Sequence, residues 1–208
     1  KSISIPSSVE SIGISAFQSC TNLEIISFEE ESNLTTIGDN AFDYCKKLKS
    51  ISIPSSVKSI GEKAFQTCTN LEIISFEEES NLTTIGDNAF QYCDEIKSIL
   101  IPSSVKSIGN GAFFQCSKLE NISFDEESNL TTIGDNAFQQ CGKLKSISIP
   151  SSVESIGISA FQTCYNLEII SFGEKSNLTT IGDNAFQVCD KLKSISIPSS
   201  VESIGISA

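Results

Sequence analysis

The sequence predicts an α/β repeat solenoid, and three regular spacings lead to that prediction. The eight cysteines stand at positions whose spacing alternates between a longer and a shorter step: 20, 45, 68, 93, 116, 141, 164 and 189. The five prolines fall once in every two such steps, and the glycine that follows each repeated isoleucine keeps the same alternation. A fixed period of this size indicates a repeat array, in which each unit packs only against its neighbours. Residues 1–208 therefore form one array of nine rungs, alternately shorter and longer as in 48–70 and 71–95, with the first and last rungs truncated.

The first part of each rung is a predicted strand. In the rung over residues 48–70, Leu48, Ile51 and Ile53 alternate with polar residues, as in a strand with one buried face. Pro54 has no backbone N–H and so suits the end of a strand. Stacked rungs should therefore form a curved parallel β-sheet on the concave side of the solenoid.

The second part of each rung is predicted to cross the convex side as a short helical turn. We expect Gly61 to supply the freedom for a bend, and Ala64, Phe65 and Cys68 to enter the core. In the longer rungs, an Asp after the equivalent Gly is expected to cap the free N–H groups of that turn; these residues are Asp39, Asp87, Asp135 and Asp183.

The cysteines are predicted to be buried free thiols. Each holds one fixed place in its rung, so they form a column, and parallel side chains in a column do not normally meet in disulfide geometry. Disulfides between rungs, and a metal or redox role, are the alternatives.

The composition argues against catalysis and against nucleic acid as a partner. The chain has 26 acidic residues, 14 basic residues that are all Lys, a net charge of −12 and no His. Without His it has no imidazole base, and an acidic chain repels a polyanion. A Lys49-Ser50 pair is the enzyme alternative, but adjacent strand residues point to opposite faces. We expect no enzyme activity and no cofactor. No apolar run is long enough to cross a membrane.

The order of residues within the rung resembles one family closely. Eight complete copies of Ile-Gly-x-x-Ala-Phe-x-x-Cys follow a strand with the pattern Leu-x-x-Ile-x-Ile/Phe. This arrangement resembles the BspA-like leucine-rich repeats of bacterial and protist surface proteins, over the whole chain. The resemblance implies a right-handed leucine-rich-repeat superhelix and an adhesion role at the cell surface or outside the cell. It also implies a protein partner, such as a host extracellular-matrix or cell-surface protein.

The outward strand positions form columns across the predicted concave face. The first column alternates between Lys and Glu. These side chains either fix the register of neighbouring strands through opposite charges or contact a ligand. The next two columns are mainly Ser, with Ile73 and Leu100 as an apolar spot on adjacent rungs. A structural spacer without a ligand is the alternative function. The predicted protein-binding residues are Glu24, Ile25, Lys49, Ser50, Glu72, Ile73, Ser75, Lys97, Ser98, Leu100, Glu120, Asn121, Lys145, Glu168 and Ile169.

Three further features are predicted to lie at the surface. The acidic segments 29–31, 77–79 and 125–127 are expected to form a solvated flank, with a calcium-binding edge as the alternative. The chain starts within the repeat pattern and neither end has a polar capping rung, so we expect a fragment that self-associates end to end or is held by flanking repeats in the full protein. Candidate N-glycosylation sites begin the four Asn-Leu-Thr triplets at Asn33, Asn81, Asn129 and Asn177.

Overall fold

The computed structural model describes residues 1–208, which wind into a parallel β-solenoid of about nine turns. Most turns contain one strand of four residues and one of two. The four-residue strands are β1 (Ser2–Ile5), β3 (Ile25–Phe28), β5 (Ser50–Ile53), β7 (Ile73–Phe76), β9 (Ser98–Ile101), β11 (Asn121–Phe124), β13 (Ser146–Ile149) and β15 (Ile169–Phe172). The two-residue strands are β2 (Ser11–Ile12), β4 (Thr36–Ile37), β6 (Ser59–Ile60), β8 (Thr84–Ile85), β10 (Ser107–Ile108), β12 (Thr132–Ile133), β14 (Ser155–Ile156), β16 (Thr180–Ile181) and β17 (Ser203–Ile204).

The two kinds of strand form different sheets. The two-residue strands make one continuous nine-stranded parallel sheet along the whole solenoid. The four-residue strands make two separate four-stranded sheets, β1-β3-β5-β7 and β9-β11-β13-β15. The outward side of these two sheets is the predicted concave side, and we call it the front face.

Pairing on the front face alternates from one rung to the next. β5 and β7 pair over four residues, from Ser50 with Ile73 to Ile53 with Phe76, and three other strand pairs match this pattern. The next step is different, because β3 and β5 share only the pair Ile25 and Ser50. β11 and β13 also share one pair, and β7 does not pair with β9. The four-residue strands are therefore grouped in twos, and the structural unit of this face is a pair of rungs.

A proline follows the second strand of each step in which the pairing is reduced. In the fully paired step, the ladder continues past the strand because Glu77 N donates to Ile53 O at 3.0 Å. In the next step, the residue at the position of Glu77 is Pro102, which has no N–H to donate to the Phe76 carbonyl. Pro54 and Pro150 occupy the same position in their rungs. Each proline thus removes one donor at the end of the step between a longer rung and the shorter rung that follows, and in these steps the pairing is already lost before the proline, as between β3 and β5 after Ile25 and Ser50.

The core consists of ladders of identical apolar residues, as predicted. Ile51 and Ile53 are buried while Ser52 between them is exposed. The Phe rings of the Ala-Phe pairs form one continuous stack, with neighbouring centroids 5.2–5.6 Å apart and ring planes within 12° of parallel. The six central rings are fully buried: Phe42, Phe65, Phe90, Phe113, Phe138 and Phe161. This stack joins all but the last rung.

The predicted helical turns are wrong, because the structure contains no helix. The segment instead makes successive tight turns, with Ser15 and Ser19 at φ of 56° and 60°. Alternate N–H groups bond to the next rung, as in Phe42 N to Ala64 O at 2.7 Å, and the others bond within the turn, as in Ala41 N to Gly38 O at 3.2 Å. A helix would use these groups internally and is about 10 Å wide. It does not fit between rungs whose Phe42 and Phe65 rings are 5.2 Å apart.

Two local predictions also need correction. Gly61 does not have the positive φ of a flexible bend. It is needed for space, because a Cβ there would lie 2.7 Å from the backbone N of Asp39. Asp39 does accept a backbone hydrogen bond, but from Glu62 N of the next rung at 2.8 Å, not from its own turn. The aspartates therefore link rungs, and Asp87, Asp135 and Asp183 make the equivalent bond.

Candidate protein-binding face

The structure places all of the predicted binding residues at the surface of the front face. The large apolar ones are well exposed: Ile25 by 53%, Ile73 by 59%, Leu100 by 50% and Ile169 by 60%. Ser50 and Glu120 are half-buried, and the remaining predicted residues are exposed. The alternation of buried and exposed residues holds outward those side chains that belong to the four-residue strands, whereas the Lys and Glu side chains lie just before each strand.

Ion pairs occupy only part of the Lys and Glu column, and one of them joins Glu168 to Lys191 Nζ, outside the column, at 3.7 Å. Lys145 Nζ lies 3.1 Å from Glu120 Oε2, and this contact lowers the pKa of the Glu120 carboxyl. At the chain start, the amino group of Lys1 lies 3.3 Å from Glu24. Lys49, Glu72 and Lys97 make no ion pair. Their alternation in sequence does not become a closed ladder of side chains, so these charges remain available to a partner.

Four clefts lie on the front face, one at each step where the strand pairing is reduced, and a further cleft of about 610 Å³ lies beside Glu168 and Ile169. Each of the four lies between the strand of a longer rung and the shorter rung that follows it. Cleft 1 lies between β3 and β5, cleft 2 between β7 and β9, cleft 3 between β11 and β13, and cleft 4 between β15 and residues 196–200. Their volumes are about 430, 470, 360 and 540 Å³ in that order.

Cleft 2 shows the chemistry that these clefts share. Phe76 and Leu100 provide apolar surface, and Pro102 forms part of the wall. Serine hydroxyls and acidic side chains surround them, supplied by Ser75, Ser98, Ser103, Ser123, Asp125 and the segment 77–79. Ile73 lines cleft 1 and Leu100 lines cleft 2, so the two residues of the predicted apolar spot belong to different clefts.

The clefts differ mainly in charge. Glu77 lines both clefts 1 and 2, and its Oε2 accepts a hydrogen bond from Ser55 N at 3.0 Å. Asp125 and Glu127 line cleft 3. Cleft 4 has Gly173 and Lys175 at the corresponding places. Clefts 1 to 3 are thus acidic, whereas the lining of cleft 4 carries a positive charge.

The cysteine column has a structural place in the core. All eight thiols are free, and only Cys20 in the first rung is exposed. Each buried thiol donates to a Phe carbonyl of the preceding rung, as Cys68 Sγ does to Phe42 O at 3.2 Å. Burial raises the pKa of the Cys45 thiol to about 12 and that of Cys189 to about 11. These thiols are protonated at neutral pH and are poor nucleophiles.

The candidate glycosylation sites lie on exposed turns beside the front face. Asn33, Asn81, Asn129 and Asn177 are all exposed. The Nδ2 atoms of Asn81 and Asn129 each donate to a serine carbonyl of the preceding rung, at 3.1 Å. Their use as acceptors remains a prediction.

The structure brings no three His, Cys, Asp or Glu side chains together in a way that would hold a metal ion. It also contains no helix long and apolar enough to cross a lipid bilayer.

The clefts were not predicted from the sequence. The signal for them was present, because the five prolines recur only in every second rung while the strand pattern recurs in every rung. A proline at the position where the neighbouring rungs use a backbone N–H marks a stop in the ladder.

The fold and this face together define a class of protein: a parallel solenoid of leucine-rich-repeat type with a repeated outward-facing surface. The family described as BspA type leucine rich repeat region matches residues 1–117 and 83–208, with six copies of its repeat. The chain belongs to this family. No curated protein matches it.

Three solved structures are similar to this chain. A leucine-rich repeat protein from Bacteroides ovatus is 29% identical, with a TM-score of 0.82 over 99% of this chain and 57% of that one. The T. pallidum leucine rich repeat protein TpLRR is 27% identical, with a TM-score of 0.65 over 93% of this chain and 78% of that one. The pneumococcal vaccine antigen PcpA shares the fold at 24% identity, with a TM-score of 0.69 over 98% of this chain and 58% of that one. This chain thus spans somewhat more than half of the Bacteroides and pneumococcal structures.

Proposed function

We propose that this chain is a non-catalytic protein-binding module, of adhesion type, whose nine rungs act as one array. The observation that carries the proposal is the front face. It combines exposed Ile and Leu side chains, unpaired Lys and Glu side chains and a row of clefts, on a sheet held rigid by a continuous core. Large exposed apolar side chains grouped with charges are typical of protein interaction surfaces.

The partner class that we propose is a host extracellular-matrix or cell-surface protein, with the module at the cell surface or outside the cell. Membership of the BspA-type family supports this location. The chemistry of the front face is consistent with a protein partner rather than nucleic acid, because the chain has a net charge of −12.

Photocrosslinking on matched faces tests the proposal. A photoreactive amino acid is placed at Ser98 on the front face or, as the control, at Ile158, an exposed residue after a Gly in the second part of a rung. Both proteins are incubated with an extracellular-matrix preparation. We expect a specific adduct from Ser98 alone, and its loss when Ile73 and Leu100 are replaced by Ser. Equal adducts from both positions would contradict a front-face site.

A structural spacer without a ligand is the second candidate. The serine columns favour it, since Ser50, Ser98 and Ser146 occupy equivalent places in successive shorter rungs and make a uniform surface. The same experiment separates the two functions, because a spacer gives no front-face adduct with any protein in the preparation.

End-to-end self-association of the 208-residue chain is a further part of the proposal. Apolar side chains are exposed in the terminal rungs, including Ile14 by 73% and Ile206 by 79%. Burying them between copies would stabilise a stack of solenoids. Sedimentation velocity over a dilution series is expected to show species larger than a monomer, and a monomer at all concentrations would contradict it.

A further inference from the structure

The clefts of the front face form a row with a constant spacing. Each cleft lies between one unit of two rungs and the next. The Phe42 and Phe65 rings are 5.2 Å apart, and so are the Phe65 and Phe90 rings. Neighbouring clefts are therefore about 10 Å apart along the solenoid, close to twice the usual distance between strands.

Each acidic cleft suits a side chain that has an apolar stem and a positive end. In cleft 2, Phe76 and Leu100 offer apolar surface beside the carboxylates of Glu78 and Glu79. Neither of these carboxylates takes part in an ion pair within the chain. Asp125, which lines both cleft 2 and cleft 3, also makes no ion pair within the chain. Lysine fits this combination, because it packs its methylene groups on apolar surface and keeps its ammonium group at the rim.

The spacing restricts the conformation of a ligand that fills several clefts. A β-strand rises about 3.3 Å per residue, so residues three apart are about 10 Å apart, but they point to opposite faces. Polyproline II has three residues per turn, so residues three apart lie on one face of the peptide and span about 9 Å. Residues four apart span about 13 Å when extended and do not match the row.

We propose that clefts 1 to 3 bind one peptide segment in polyproline II conformation that carries a lysine at every third position. The peptide runs along the solenoid axis, across the strands, and places one lysine in each acidic cleft. This inference rests on the proposed binding function of the front face and adds to it the chemical class and the period of the ligand. Linked contacts of this kind raise the affinity with each added site, because later contacts form within one complex.

Cleft 4 is the internal contrast. Lys175 takes the position that Glu79 and Glu127 hold in clefts 2 and 3, and all three residues have φ between 54° and 57°. The substitution Lys175→Glu therefore needs no change of backbone. It should add a fourth acidic cleft to the row.

Synthetic peptides of equal composition and charge test the inference. One set carries two, three or four lysines at every third position, and the other carries them at every fourth position. Binding is measured by fluorescence anisotropy at about 0.15 M salt, where charges separated by more than about 8 Å are largely screened. We expect the three-lysine peptide of period three to bind at least tenfold more tightly than its period-four counterpart.

Three variants locate the site. Combining Glu78→Gln, Glu79→Gln and Asp125→Asn should lower the affinity for the period-three peptide at least tenfold. The control combines Glu10→Gln, Glu154→Gln and Glu202→Gln, which removes the same charge from exposed residues beside the two-residue strands and should leave the affinity unchanged. Lys175→Glu should strengthen binding of the four-lysine peptide at least fivefold, with little effect on the two-lysine peptide.

Equal affinity for the two periods, or equal loss in the front-face and control variants, would overturn the inference and indicate attraction by net charge alone. Absence of peptide binding would overturn it as well. If front-face crosslinks to a matrix protein persisted in that case, the proposed function would stand without this ligand class. If those crosslinks were also absent, both proposals would fail.

Discussion

Replacing Phe90 by alanine tests whether the ring stack holds the rungs together. The Phe90 ring is fully buried between Phe65, at 5.2 Å, and Phe113, at 5.3 Å. A buried aromatic side chain removes about 150–250 Å² from water, worth about 4–6 kcal/mol at about 25 cal/mol per Å². Alanine keeps a part of this, so we expect the free energy of unfolding to fall by about 3–5 kcal/mol.

The assay is urea unfolding followed by circular dichroism, with Phe17→Ala as the control. Phe17 is only half-buried and has a stacked ring on one side alone, so its replacement should cost less. Because rungs contact only their neighbours, the loss at Phe90 should also divide the array and broaden its transition. An effect of Phe90→Ala no larger than that of Phe17→Ala would refute a stack that carries stability along the solenoid.

Three further predictions follow from the structure. Asp43 lies in a column with Gln18 and Gln66, its Oδ1 atom is buried without a partner, and burial raises its pKa above 3.8. A raised carboxyl pKa means that the ionised group disfavours the native state. Asp43→Gln should therefore stabilise the chain by about 1 kcal/mol at pH 7, and by much less near pH 3, where the carboxyl is largely protonated. Equal gains in the free energy of unfolding in urea at pH 7 and pH 3 would contradict this. Val188 has a φ of 59°, in the left-handed region that is strained for Val but tolerated by Asn. Val188→Asn should therefore raise the free energy of unfolding by about 1 kcal/mol, and a lower thermal midpoint for this variant would contradict backbone strain at Val188. One thiol, Cys20, should react with Ellman's reagent in the native chain and all eight in denaturant, whereas several fast native thiols would contradict the buried column.

Much of the fold could be predicted because repetition multiplies each local signal. Ile51 and Ile53 alternate with serines in a pattern typical of a half-buried strand, and this pattern recurs in the other shorter rungs except where Leu100 replaces a serine. The burial of the Ala-Phe rings and of the cysteine column followed from their fixed place in each rung.

The helical turns could not be excluded from sequence. Ala64, Phe65 and Cys68 have the spacing of one helix face, and the same spacing fits a pair of tight turns. The distance between rungs decides between them, since every second backbone N–H group bonds to the next rung across a gap too narrow for a helix. The need for a glycine at position 61 also could not be predicted. It depends on the close approach of the neighbouring rung and not on the residues beside Gly61 in sequence.

The candidate site was predicted only in part. The outward columns follow from strand alternation, so their exposure was predictable. The clefts were not, because they arise where two strands fail to pair, as at Phe76 and Pro102. Likewise, the alternation of Lys and Glu in sequence gave no information on which side chains close an ion pair, such as Lys145 with Glu120.

The central claim is that the front face is built from units of two rungs that open at each proline, and amide hydrogen exchange measures this most directly. Ser75, Leu100 and Ser123 occupy the same strand position in three successive rungs. Ser75 and Ser123 lie in ladders with the preceding strand, whereas Leu100 faces β7 without pairing. We predict slow exchange at the Ser75 and Ser123 amides and exchange at least tenfold faster at Leu100. Equal protection of all three amides would show a continuous sheet and contradict the account.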